Sequence, residues 1–250
     1  PLLRRRSLSS RSEAIEMRLS ELRAAAHAAG GSINDAYLAG LCGALRLYHG
    51  ALGVPLNSLP MAVPVNLRAE ADPAGGNRFA GVNLAAPIGV ADPAVRIQKI
   101  RKQMTSRREE AAIDMIGAVA PVLSLLPDAV VEAMSGSVIA SDVQASNVPV
   151  YSGDTYIAGT KVLRQYGLGP LPGVAMMVVL VSRGGFVTVS ARYDRAAIAH
   201  EDLFAQCLRR GFDEVLALAG DPPPRVVPSS FPDVTDEPPQ PSSNGSVSYS

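Results

Sequence analysis

The chain has 250 residues, of which 47% are hydrophobic, and its formal net charge at neutral pH is zero. This length fits one large domain better than two small ones, and the apolar fraction is sufficient for a substantial core. A zero net charge argues against nucleic acid as a partner, because nucleic-acid-binding proteins usually present a basic surface.

Cysteine usage and the distribution of apolar residues predict a cytoplasmic protein. Cys42 and Cys207 lie in apolar patterns typical of helices, which indicates buried thiols in a reducing compartment. The chain begins with proline and no charged-then-apolar leader follows, so we expect a fragment without a secretion signal. The longest apolar strip, 115–134, is interrupted by Pro121 and Pro127, which argues against the ~20 apolar residues of a spanning helix.

The first eleven residues are basic and precede any apolar periodicity. Their arginines are Arg4, Arg5, Arg6 and Arg11. This composition predicts a solvated linker over 1–11, and the alternative is a contact with anionic lipid or with the phosphates of a cofactor. From Ser12 onwards, apolar residues recur every three or four positions as far as Gly30, which predicts an amphipathic helix.

A second helix is predicted directly after this one. Ser32 has the right identity for its N-cap, and residues 33–45 are apolar nearly all round, which indicates a buried helix. Gly40 and Gly43 would let another element approach closely. Asn34 and Asp35 fit a capping role in the first turn, but two polar residues at the mouth of a buried helix also fit the lining of a channel.

The middle of the chain alternates between strand and helix patterns. Residues 59–67 and 79–88 are typical of strands. The prolines in the first of these segments indicate that its strand lies toward a sheet edge. A long helix is predicted from Asp92 and Pro93. The simplest interpretation of its charged residues is a solvated helix face, and the alternative is that they bind the phosphates of coenzyme A. They are Arg96, Lys99, Arg101, Lys102, Arg107, Arg108, Glu109 and Glu110.

The last part of the chain predicts short helices, several strands and a closing helix. Residues 113–134 are apolar but broken by prolines, which fits core packing or the wall of a lipid tunnel. Strands are predicted at 156–163, 176–181 and 186–194, the last two joined by a hairpin at Gly184-Gly185. A final amphipathic helix stops at Gly220. Residues 221–250 are rich in proline, serine and acid, which predicts disorder.

The sequence offers no complete catalytic apparatus of its own. The three histidines, His27, His49 and His200, are scattered and have no paired or glycine-flanked setting of the kind that a general base usually needs. Neither a metal-ligand spacing nor a glycine-rich phosphate loop is present in the sequence. We therefore expect a mixed helix and strand domain without a metal or a bound cofactor.

Four short phrases, in this order along the chain, carry a family resemblance. They are Ser32-Ile33-Asn34-Asp35, Pro64-Val65-Asn66-Leu67-Arg68, Gly76-Asn77-Arg78 and Ser146-Asn147-Val148-Pro149. Together they resemble the C-terminal half of the wax ester synthase/diacylglycerol acyltransferase family, over residues 32–219. The resemblance implies an α/β (α+β) domain, residues 12–220, of the chloramphenicol acetyltransferase-like fold, with a mixed sheet flanked by helices.

The resemblance also implies a reaction that this chain would share with an N-terminal domain. In the family, a His-His-x-x-x-Asp-Gly motif in that domain supplies the base; the motif is absent here. The implied reaction moves a fatty acyl group from acyl-CoA to diacylglycerol or a long-chain alcohol and needs no metal. Contact of the protein with a membrane surface or a lipid droplet is compatible with this reaction. Residues matching the family motifs would shape the substrate channel and the domain interface. They are Asn34, Asp35, Asn66, Arg68, Asn77, Asn147 and Pro149.

One departure from the family pattern affects the loop after Pro149. Family members usually continue Asn-Val-Pro with Gly-Pro, whereas this chain has Val150-Tyr151. The substitution changes the backbone freedom of the loop and bears on which acceptor is preferred. Two alternatives stay open: a non-catalytic lipid-binding or interaction domain of the same fold, and an acyltransferase acting on another acceptor.

Overall fold

A single mixed sheet with helices on one face organises the protein. The computed structural model describes residues 2–7, 9–66, 79–116, 141–148, 150, 153–171, 173–220 and 227–228. Within these residues, seven strands form one sheet and two more form a separate hairpin. The predicted α+β class is confirmed.

The sheet has the strand order β3-β2-β4-β7-β8-β1-β9. Its strands are β1 Ser10–Arg18, β2 Leu59–Asn66, β3 Phe79–Ala86, β4 Val143–Val148, β7 Met176–Arg183, β8 Phe186–Asp194 and β9 Val227–Pro228, and the separate hairpin is β5 Tyr156–Ile157 with β6 Thr160–Lys161. β4 runs parallel to both β2 and β7, and all other neighbours in the sheet are antiparallel. The phrase Ser146-Asn147-Val148 thus ends a central parallel strand, a position that its small polar residues did not predict.

Within the described ranges, four helices cover one face of this sheet. They are α1 Leu19–Ala28, α2 Ile33–Ala51, α3 Pro93–Ile116 and α4 Glu201–Leu216, with short 3-10 turns at Leu2–Arg4 and Ala217–Ala219. The core lies between these helices and the inward side chains of the strands, such as Ile15, Val143, Val178 and Val189. The predicted helices at 33–45 and from Pro93, and the strands at 59, 79, 176 and 186, are confirmed.

The predicted helix from Ser12 to Gly30 is wrong in its first half. Residues 10–18 form β1, which pairs with β8 along its whole length, and helix α1 begins only at Leu19. Ile15 and Met17 point into the core while Glu16 between them is less buried, which is the two-residue alternation of a strand. Because Ile15 and Leu19 are also four residues apart, the same positions fitted a helical period.

The predicted linker over 1–11 is also wrong for the residues of that range that the structure describes. Leu3 is fully buried, and Arg11 lies within β1, where it forms an ion pair with Glu201 (N–O distance 2.5 Å). Asp194, at the end of β8, accepts hydrogen bonds from the backbone N–H and hydroxyl of Ser7. These contacts fasten the start of the chain to the domain.

Close backbone approach joins α2 to α4. An added Cβ at Gly40 would meet the ring of Phe212 at 2.8 Å, and one at Gly211 would meet the backbone nitrogen of Ala44 at 2.3 Å. The prediction that the glycines of α2 allow close packing is therefore confirmed, since side chains at these positions would push the helices apart.

Arg96 does not belong to a solvated face, contrary to the prediction. Its side chain is fully buried, and the guanidinium donates to the carboxylate of Glu214 (2.8 Å) and to the carbonyls of Val90 and Ala91 (3.1 Å each). Glu214 also pairs with Arg46. A buried guanidinium needs such partners. The two carbonyls come from the chain just before α3, whereas the carboxylate is supplied by the packing of α3 against α4.

The segment predicted as one strand over 156–163 is instead the hairpin β5–β6. Its turn, Ala158-Gly159, has positive φ at both residues (49° and 82°), which is typical of a type I′ turn. Of the predicted disordered tail, only Val227 and Pro228 are described, and they pair with β1. The rest of the tail, and most of the predicted broken helices at 113–134, lie outside the described residues.

Candidate functional site

Two of the predicted site residues lie at the ends of adjacent parallel strands. Ala62 of β2 pairs with Gln144 of β4, and each strand continues for four more residues, to Asn66 and Val148. Asn66 and Asn147 therefore lie at the same edge of the sheet, which we call the carboxyl edge. Crevices at the carboxyl ends of parallel strands are the usual position of ligands in sheets of this kind.

Helix α2 brings a third predicted residue toward the carboxyl edge. In its first turns, the hydroxyl of Tyr37 donates to the carbonyl of Val178 in β7 (3.0 Å). In its last turn, Tyr48 accepts from the backbone N–H of His200, which follows the carboxyl end of β8. Because β8 is antiparallel to β7, that end lies at the opposite edge. The first turn of α2, with Asn34, thus faces the carboxyl edge.

Asp35 has a structural role in this first turn. The backbone N–H and the hydroxyl of Ser32 both donate to the Asp35 carboxylate (2.8 and 2.7 Å), and the Asp35 N–H donates back to the Ser32 hydroxyl. This is a capping box, which satisfies donors that a helix N-terminus would otherwise leave unpaired. Asp35 is buried and Asn34 is partly exposed, so Asn34 is the more accessible of the two.

Tyr37 joins α2 to the sheet through a contact that the sequence did not reveal. Its side chain is fully buried, and burial raises the pKa of its hydroxyl, an effect that the nearby backbone N–H of Ser146 partly offsets. The hydroxyl thus lies between β4 and β7, directly before Asn147. It fixes the first turn of α2 relative to the end of β4. A tyrosine in an apolar helix pattern gives no signal of this partner, since the pairing depends on the sheet.

At the carboxyl edge, exposure increases toward the strand end. Along β4, Val143 and Ala145 are buried beneath the helices, whereas Asn147 and Val148 are exposed. Val148 is 40% accessible as a residue. The edge therefore presents an amide and an apolar side chain to whatever binds there.

The histidines do not form an acid–base site in the described part of the chain. His49 is fully buried near the far end of α2, its Nδ1 lies 2.9 Å from the carbonyl of Leu45, and burial lowers its pKa. His200 is the N-cap of α4, and His27 is exposed in the last turn of α1. Among the described residues, no cluster of His, Cys, Asp and Glu side chains could hold a metal ion.

A cavity of about 490 Å³ lies away from the carboxyl edge, near the last turn of α2. Tyr48, Leu52 and Val54 form one wall, and Ala197 and His200 form another.

No helix in the described ranges is long and apolar enough to cross a membrane.

The sequence matches a described family over most of the domain. A profile of the WS/DGAT C-terminal domain matches residues 75–215. The chain belongs to this family. The resemblance stated from four short phrases is thereby confirmed.

Relatives within the WS/DGAT family include mycobacterial proteins. One is a Mycobacterium tuberculosis protein that is named as a proposed diacylglycerol O-acyltransferase. It is 71% identical over 231 residues, which are 92% of this chain and 47% of its own length. A second protein of that organism with such a name is 32% identical over 193 residues, 73% of this chain and 42% of its own length. The chain therefore spans about half the length of the curated relatives it matches.

Solved structures confirm the fold. A wax ester synthase/diacylglycerol acyltransferase from Marinobacter aquaeolei matches with a TM-score of 0.62 at 20% identity, over 88% of this chain and 52% of that one. A condensation domain from the enacyloxin polyketide synthase matches with a TM-score of 0.54 at 15% identity, over 94% and 45%. The predicted chloramphenicol acetyltransferase-like architecture is the one that these acyl-transfer domains share.

The seven predicted site residues divide into three groups. Asn34, Asn66 and Asn147 lie at or face the carboxyl edge, and Asp35 belongs to the helix cap beside it. Arg68, Asn77 and Pro149 lie outside the described residues, so their roles stay predictions.

Proposed function

We propose that this chain is the C-terminal half of an O-acyltransferase that moves a fatty acyl group from acyl-CoA to the hydroxyl of diacylglycerol. A long-chain alcohol is the second acceptor class, which would yield a wax ester. The observation that carries the proposal is that Asn34, Asn66 and Asn147, from three separate family motifs, lie at or face the same edge of the sheet. Membership of the WS/DGAT family supports the reaction class.

The base in this reaction comes from outside the chain. The paired-histidine motif of the family is absent from the sequence, and the relatives are about twice as long as this chain. A histidine of the N-terminal half takes the proton from the acceptor hydroxyl. The oxygen then attacks the thioester carbonyl, an ester C–O bond forms and the C–S bond breaks. The protonated histidine gives its proton to the departing sulfur, so coenzyme A leaves as the thiol.

The carboxyl edge of this chain contributes orientation rather than proton transfer. Amide side chains such as Asn34 and Asn147 donate and accept hydrogen bonds at neutral pH without changing charge. They can hold the ester or hydroxyl oxygens of an acceptor, while Val148 offers contact to an alkyl chain. Holding both reactants in a fixed geometry accounts for a large part of many enzymatic rate enhancements.

The reaction needs acyl-CoA as a co-substrate and no bound cofactor or metal. The acceptors are lipids, so we place the intact enzyme in the cytoplasm with peripheral contact to the inner membrane face or a lipid droplet.

The test is acyl transfer from radiolabelled palmitoyl-CoA to diacylglycerol and to hexadecanol, using the intact protein with the sequence encoded before Pro1. Asn147→Ala should lower kcat/KM by about tenfold or more, which corresponds to about 1.4 kcal/mol of transition-state stabilisation. Asn57→Ala, on an exposed loop before β2, is the matched control and should leave the rate unchanged. A folded intact protein that transfers no acyl group to either acceptor would overturn the proposal.

A further inference from the structure

The stretch from Tyr156 to Leu168 exposes an unusual amount of apolar surface. Four of its large apolar residues are exposed, with accessible fractions of 58% (Tyr156), 70% (Ile157), 67% (Leu163) and 62% (Leu168). We call these four residues the hairpin patch. Single exposed apolar residues are common, but four within thirteen residues usually mark a contact surface.

The chain directly after the hairpin, which carries Leu163 and Leu168, crosses the sheet face opposite the described helices. Gly167 packs over Val179 and Val181, whose side chains point away from the helical face. Nearby, the hydroxyl of Thr188 donates to the carbonyl of Gln165 (2.6 Å). The chain after the hairpin is thus fastened across this second face and directs its apolar side chains outward.

The hairpin also extends from the carboxyl edge. It follows β4 in the chain, and the guanidinium of Arg183, at the carboxyl end of β7, donates to the carbonyl of Gly153 (3.2 Å). Whatever covers the hairpin patch therefore lies next to Asn147 and the end of β4.

The hairpin lacks the features of a self-supporting element. β5 and β6 have two residues each and pair only with one another. Isolated two-stranded ribbons are marginally stable in water. Ala158 in its turn has φ of 49°, a conformation that costs a residue with a Cβ about 1 kcal/mol. Packing against a partner would offset both costs.

The charges beside the hairpin patch favour a protein partner over an anionic lipid surface. Lys161 pairs with Asp154 (2.9 Å). Arg164 pairs with Glu16 (2.7 Å) and lies over the ring of Phe186. Anionic membranes attract segments through unpaired cations, whereas here both cations have local carboxylate partners.

We propose that the hairpin patch is the surface on which the N-terminal half of the intact acyltransferase docks, which places that half beside the carboxyl edge. This inference rests on the proposed function for the identity of the partner. The curated relatives have about as much chain again as this one, and the site at the carboxyl edge is incomplete without an acid–base group. A patch that extends from the same edge is where the missing part would close the site.

The experiment is site-specific photo-crosslinking in the intact protein, which includes the sequence encoded before Pro1. Benzoylphenylalanine replaces Leu163, and the matched control position is Val95, an exposed apolar residue of α3 (39% accessible). After irradiation, mass spectrometry identifies the crosslinked peptides. We expect peptides from the sequence before Pro1 at position 163 and at least tenfold fewer at position 95.

A second substitution tests whether apolar contact holds this interface. Ile157→Asp should lower the crosslinking yield from position 163 about tenfold, because it places a charge within the hairpin patch, whereas Val95→Asp should leave it unchanged. Crosslinks between two copies, crosslinks to added lipid vesicles alone, or no crosslink above the control would overturn the inference. The readout does not need acyl transfer, so an inactive but crosslinked protein would refute the proposed reaction and not the interface.

Discussion

Replacing Glu214 by alanine tests whether a buried charge holds the helical layer together. Glu214 is the carboxylate partner of Arg96, whose side chain has no solvent-accessible surface. Removing one member of a buried ion pair typically costs about 3–5 kcal/mol, because the other charge stays buried and unpaired. We expect the lower end, about 3 kcal/mol, because Arg96 keeps two carbonyl partners and the Glu214 side chain is 27% accessible.

The assay is urea-induced unfolding of the chain followed by far-ultraviolet circular dichroism. The free energy of unfolding should fall while its dependence on urea stays unchanged. Arg46→Ala is the matched control, because Arg46 pairs with the same carboxylate (2.6 Å) but is 28% accessible. Its loss should cost less, about 1 kcal/mol, because water screens a partly accessible pair and Glu214 keeps Arg96 as a partner.

A double substitution separates charge burial from packing. Arg96→Met combined with Glu214→Leu removes both charges and keeps apolar volume, so it should recover much of the stability that Glu214→Ala loses. If Glu214→Ala and Arg46→Ala cost the same, or if the double variant is less stable than Glu214→Ala, the reasoning about the buried guanidinium is refuted.

Four further substitutions test individual contacts. Tyr37→Phe should cost about 1 kcal/mol in urea unfolding and speed hydrogen exchange in β4, because one buried hydrogen bond is lost; unchanged exchange would contradict its positioning role. Gly211→Ala should destabilise α2–α4 packing by more than about 2 kcal/mol, whereas Gly50→Ala, with open space around it, should be neutral or stabilising. Asp194→Asn should destabilise the fold at pH 7 but progressively less below about pH 4. Burial raises the pKa of Asp194, hydrogen bonds from backbone N–H groups lower it by more, and the stability that comes from this lowered pKa is lost as pH falls. A difference in stability that does not change with pH would refute this. Ala158→Asn should slow hydrogen exchange in the hairpin severalfold, because asparagine tolerates positive φ better, and faster exchange would contradict the turn assignment.

Predictions that depended on local chemistry agree with the structure. The N-cap at Ser32, the two-glycine turn at Gly184-Gly185 and the stop at Gly220 involve interactions within a few residues, so the sequence contains the whole signal. The continuous apolar run of α2 likewise requires burial on all sides, and its buried side chains fulfil that requirement.

Predictions failed where one pattern fitted two structures. Ile15 and Leu19 satisfy a helical period, while Ile15 and Met17 satisfy a strand period, and pairing with β8 decides in favour of the strand. Arg96 was assigned to solvent because its neighbours in the sequence are charged, yet α2 and α4 enclose it and supply Glu214. The spacing of apolar residues and the runs of charge are properties of a single segment. Whether that segment forms a strand, or buries an arginine, depends on the elements that pack against it.

The sequence alone determined the family, the mixed helix and strand class and the identity of the polar residues that mark the candidate site. Only the tertiary structure decided that Asn34, Asn66 and Asn147 lie at or face the same edge of the sheet, because the parallel pairing of β2 with β4 and the contact of Tyr37 with β7 join residues more than eighty positions apart. It also decided that Asp35 caps a helix and that the hairpin patch is exposed. Such facts follow from long-range pairing, which no local pattern in a single chain specifies.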